Sequence, residues 1–139
     1  MEHFENTVLV SLDVAIKKLF PLIGSFEGQV NIAKEMASKN ENDQLTIDES
    51  AAIYFYTMSS TSTSSQPFYI YLNDALRSTD WKIQEPYFPY LKLFISALSK
   101  LEPVALSVAR GAKMDLSEKY SIGKTFVWST FRYIVFVCF

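Results

Sequence analysis

The stretch TIDESAAIYFYTM, residues 46–58, carries the sharpest local signal in the chain. Thr46 is followed three residues later by Glu49, the spacing of a capping box. In that motif the hydroxyl accepts from one orphan N–H of the first turn, and the carboxylate reaches back to another. Behind the cap, Ile47, Ala51, Tyr54, Phe55 and Met58 line one face at helical spacing. The stretch therefore predicts a helix with a defined start, and the helical period continues on both sides of it.

Toward the N-terminus, SLDVAIKKLF offers Ser11 as a cap, with Leu12, Ala15, Ile16, Leu19 and Phe20 on one face and Pro21 closing the helix. EGQVNIAKEMASK predicts a second helix with Val30, Ala33 and Ala37 inward, and NEND follows as a polar loop. Toward the C-terminus, SSTSTSSQP reads as a polar, helix-poor loop. PFYIYLNDALRS starts with Pro67 in its first turn and buries Phe68, Tyr71, Leu72, Ala75 and Leu76. TDWKIQEP is a connection, and YFPYLKLFISALSKL is a helix with Phe88, Leu91, Phe94, Ile95 and Leu98 inward. These aromatic stripes read as core rather than as a cofactor box.

After Pro103 the pattern turns from helical to extended. VALSVAR predicts a strand, MDLSEKY a short turn or helix, and GKTFVW a second strand, with a β-rich vocabulary running to Phe139. The expected fold class is α+β: a helical N-terminal layer of about five helices, followed by the first two or three strands of an incomplete split β-sheet, in one domain over residues 1–139. Two or three strands on a helical layer rarely close an architecture. The apolar end YIVFVCF would then be an exposed edge, which favours association.

Composition narrows the chemistry. A net charge of −2 over 139 residues offers no basic stripe for nucleic acid. Cys138 is the single cysteine, so the chain forms no internal disulfide and no cysteine-based zinc cluster. His3 is the single histidine and reads as a solvated terminal side chain, which argues against Ser-His and Cys-His hydrolases. No metal ligands stand in pairs at helical spacing, and there is no phosphate-binding glycine loop. No stretch has the apolar length of a membrane span, because Arg132 interrupts the tail. The acidic N-terminal stretch does not read as a secretory signal, so a cytoplasmic location is expected. One local feature suggests binding. In VARGAKMD, Arg110 ends an apolar strand and Gly111 lets a ligand approach the backbone, an arrangement that can hold a phosphate or carboxylate, although on this feature alone an ordinary surface arginine at a strand end is the favoured reading.

Four runs carry a family resemblance: DQLTIDESAAIYFYTMSS, LNDALRSTD, EPYFPYLKLFISALSKL and SVARGAKMDLSEKYSIGKTFVW. In order and spacing they resemble the NAD-dependent protein-arginine ADP-ribosyltransferases of the animal ecto-type. That family reads as an LT-x-[DE]-E-x-x-x-I-x-x-YT helix, an LN-x-x-LRS-x-D helix, a P[WY]F-x-YL-x-L-x-x-x-AL helix, then YRG and GK-x-F-x-W. The match is strongest over residues 43–128, and residues 129–139 diverge.

The resemblance implies transfer of ADP-ribose from NAD or NADP to the guanidinium of an exposed arginine on a protein, with release of nicotinamide. It implies a cofactor cleft in a split sheet, with Arg110 and Gly111 holding the cofactor, although Ala109 stands where the family has an aromatic residue. The next family element, a serine-containing strand, fails to line up. Ser129, in a shifted Ser129–Thr130 pair, is the candidate serine, while Arg132 and Tyr133 stand at the aligned place. The catalytic Glu-x-Glu pair is absent, since no acidic residue follows Glu118. The chemistry needs one carboxylate to stabilise the cation left at the ribose C1′ and another to orient and deprotonate the guanidinium. The chain is therefore expected to be a transferase domain cut short before its catalytic glutamates and inactive by itself. A non-catalytic NAD-binding or protein-interaction module is the alternative.

Overall fold

The computed structural model describes residues 2–40, 44–58, 66–102 and 123. The chain divides into two units, Met1–Glu102 and Pro103–Phe139, and all described residues except Gly123 belong to the first. The helices are α1 (Glu2–Glu5), α2 (Leu12–Lys17), α3 (Phe20–Ile23), α4 (Glu27–Lys39), α5 (Ile47–Thr57), α6 (Phe68–Arg77), α7 (Trp81–Gln84) and α8 (Phe88–Lys100), with a 3-10 turn at Glu85–Tyr87.

The described residues are helical, with no strand or sheet among them, so the α+β class expected from the sequence is corrected to helical. The strand expected over residues 104–110 and most of the second lie outside the described residues. Gly123, the first residue of the second expected strand, sits in a turn at φ +79°, a left-handed conformation that extended backbone does not use.

α5 is the hub of the first unit, packing against α2, α4, α6 and α8. Burial on several sides is why its apolar residues do not keep to one stripe. Ala51 and Phe55 are buried as expected, but so are Ala52 and Tyr56, whereas Ile47 is exposed. α8 shows the same shift of phase. Leu91 and Phe94 are buried, joined by Tyr90, Leu93 and Ala97, while Ile95 and Leu98 face outward. α4 follows its predicted boundaries and buries Val30, Ala33 and Ala37.

At the N-terminal end, Leu12, Ala15, Ile16 and Leu19 are fully buried and Ser11 caps α2. Pro21 does not close that helix. It occupies the first turn of α3, where its missing N–H costs nothing, and Gly24 at φ +87° ends α3 instead. Pro67 likewise precedes α6 as its cap residue rather than lying inside the first turn.

The core is aromatic. Phe55 and Phe68 lie 4.6 Å apart between ring centroids, and Tyr90 meets Phe68 edge-on at 4.7 Å. Phe26, just before α4, meets Phe55, Phe68 and Tyr71 edge-on at 5.9, 6.1 and 6.2 Å. Edge-to-face contacts set the positive ring edge against a negative face, which adds to the burial term.

Candidate functional site

The described parts of three of the four runs that carry the family resemblance centre on helices: α5, α6 with the turn to Asp80, and α8 with the 3-10 turn before it. Their polar residues form a set of caps and cross-links. At the start of α5, the Thr46 hydroxyl accepts from the Glu49 N–H at 3.2 Å. The reciprocal half of the capping box is not made. The Glu49 side chain turns inward instead, where it is 2% exposed, and its Oε1 receives Lys100 Nζ from the last turn of α8 at 2.7 Å. Glu49 Oε2 is buried with no hydrogen-bond partner.

Asp48, one residue earlier, acts on a different helix. Its Oδ1 accepts from Leu12 N at 3.1 Å, so α2 is capped both by Ser11, which accepts from Val14 N, and by a residue 36 positions away. Lys34 of α4 pairs with Asp13 and lies 4.0 Å from Asp48.

The α6 run adds Asn73, buried, whose Nδ2 donates to Tyr56 Oη at 3.2 Å while its Oδ1 has no partner. Arg77 pairs with Asp74 on the helix surface. Ser78 Oγ accepts from Asp80 N at 3.1 Å, and Asp80 then caps α7 by accepting from Lys82 N at 3.0 Å. The segment read as a plain connection is thus a short capped helix.

From α8, the fully buried Tyr90 hydroxyl donates to Ala52 O at 2.7 Å. Burial, reinforced by the neighbouring Tyr56, pushes its pKa well above the usual tyrosine value.

These residues hold helices in place. None of them lies where reacting groups converge, and among the described residues no group of three or more His, Cys, Asp or Glu is placed to hold a metal. The residues expected to meet the cofactor, Arg110 and Gly111, and the candidate serine, Ser129, all lie outside the described residues.

His3 is exposed, yet it is not simply solvated: its ring stacks on Trp81 at 4.7 Å with the planes 2° apart. Sequence reading also missed Glu49 and Asn73 as buried polar residues. A local signal existed for Glu49, an acid inside a run of small and apolar residues, but its partner is 51 positions away.

Two surface cavities open among the described residues. One, of about 520 Å³, lies beside the N-terminal segment and includes His3, Lys18, Glu85 and Phe88 in its walls. The other, of about 470 Å³, lies between α3, α6 and α7 and is walled by Leu22, Tyr71, Asp74, Lys82, Ile83 and Tyr87. At its edge the Tyr87 hydroxyl has a raised pKa, first through burial and then through the nearby Tyr71 and Asp74. No helix among the described residues is long and apolar enough to cross a membrane.

Compared with protein-family models, characterised proteins and solved structures, the chain matches none.

Proposed function

We propose that this chain belongs to an NAD-dependent protein-arginine ADP-ribosyltransferase and supplies its helical part together with the arginine that holds the cofactor. In the reaction, the bond between the ribose C1′ and nicotinamide breaks, nicotinamide leaves, and a guanidinium nitrogen of the acceptor bonds to C1′ as it loses a proton. NAD or NADP is the co-substrate, and the acceptor is a protein with an exposed arginine. Arg110 and Gly111 are assigned to the cofactor, with Arg110 contacting it near the diphosphate and nicotinamide ribose.

The observation that carries this reading is the ordered recurrence of four family-like runs over residues 43–128. Support comes from what those runs do where they are described. Thr46, Asp48, Glu49, Tyr56, Asn73, Asp80 and Tyr90 occupy positions of the family pattern, and each makes a cap or a cross-link. A pattern whose shared polar residues tie together one helical unit is a pattern with a structural reason to recur.

A second reading rests on the divergence of residues 129–139 from the family pattern, where Arg132 and Tyr133 stand at the place of the family serine. The chain would then act as a non-catalytic NAD-binding or protein-interaction module. Incubation with labelled NAD and an arginine-rich acceptor, alongside thermal unfolding with and without NAD, separates the two. Label on the acceptor supports the enzyme, and stabilisation without label supports the module. The absence of both effects would sink the family reading for this chain.

A further inference from the structure

We draw no further inference here: the strongest candidate, the groove between α3, α6 and α7 walled by Leu22, Tyr71, Asp74, Lys82, Ile83 and Tyr87, carries nothing because it offers one carboxylate already paired with Arg77 and one ammonium, and nothing in the structure shows what covers it.

Discussion

Lys100, in the last turn of α8, closes an ion pair of 2.7 Å on Glu49, in the first turn of α5. The pair is lopsided: Glu49 is 2% exposed, while the Lys100 side chain is 43% exposed. A buried carboxylate with one unpartnered oxygen tolerates little further loss. Lys100→Ala is expected to leave both oxygens without a partner and to cost about 1–3 kcal/mol, the desolvation penalty of an unsatisfied buried group. Glu49→Gln, which removes the charge and keeps the shape, is expected to cost less. Urea unfolding followed by circular dichroism measures both. Equal midpoints for Lys100→Ala and the parent chain would show that the pair contributes nothing.

The dual cap of α2 gives a second test. Asp48→Ala removes the acceptor of the Leu12 N–H, and the loss of a side-chain cap costs about 1 kcal/mol. Ser11→Ala removes the acceptor of Val14 N and is expected to cost no more, since that hydrogen bond is longer, at 3.4 Å. If Asp48→Ala unfolds at the same urea concentration as the parent, Asp48 does not cap α2.

The helix start at Thr46, the whole span of α4 and the burial of Leu12, Ala15 and Ile16 were legible in the sequence because each depends on neighbours within a few residues. Helix phase was harder. One apolar stripe is the right expectation for a helix with one buried face, but α5 touches four other helices and α8 meets both α5 and α2. Both sequences are apolar nearly all round, so periodicity alone picks the wrong edge of the face. Ile95 and Leu98 looked inward for that reason, and Leu93 and Ala97 are the residues that pack. Phe26 went unnoticed because it precedes a helix rather than repeating within one. The inward turn of Glu49 depends on Lys100, and no local motif reports a partner 51 residues away. Of the candidate site, Arg110 and Gly111 were suggested by the local VARGAKMD pattern and by resemblance, and Ser129 by resemblance alone, and all three lie outside the described residues.

The corrected phase of α8 can be measured directly. Leu93→Ala is expected to cost about 2–5 kcal/mol as a core truncation, whereas Ile95→Ala, at a position 41% exposed, is expected to cost well under half as much. Phe26→Ala belongs with the first group, at about 3–5 kcal/mol, because its ring touches three others. The reverse ranking of Leu93 and Ile95 would restore the face expected from the sequence.

Alkaline stability follows from Tyr90. Its folded pKa is raised, first by burial and then by Tyr56, so the folded chain keeps the proton where the unfolded chain releases it. The stabilising contribution is therefore fully present below the unfolded tyrosine value, about 10, and is lost as pH rises above it toward the folded value. Tyr87, raised mainly by burial, acts in the same direction. The melting temperature is expected to fall from about pH 10 upward. Tyr90→Phe should flatten that fall while costing about 0.5–1.5 kcal/mol at neutral pH for the lost hydrogen bond to Ala52. An unchanged alkaline slope in Tyr90→Phe would mean that Tyr90 titrates normally.

The proposed cofactor role of Arg110 separates from stability in one comparison. A ligand that binds only the folded chain stabilises it by an amount set by its concentration relative to Kd, about 2.7 kcal/mol at a hundredfold excess. NAD is therefore expected to raise the melting temperature of the parent chain. Arg110→Ala should remove that rise without changing the melting temperature in the absence of NAD. Arg110→Lys should restore only part of it, because an ammonium keeps the charge but loses the planar pair of N–H donors that grips a diphosphate. Ser129→Ala should leave the NAD effect intact if Arg110 and Gly111 hold the cofactor without it. Should NAD stabilise the parent and Arg110→Ala equally, cofactor binding does not involve Arg110, and the family-derived assignment of that residue fails even if the helices belong to the family.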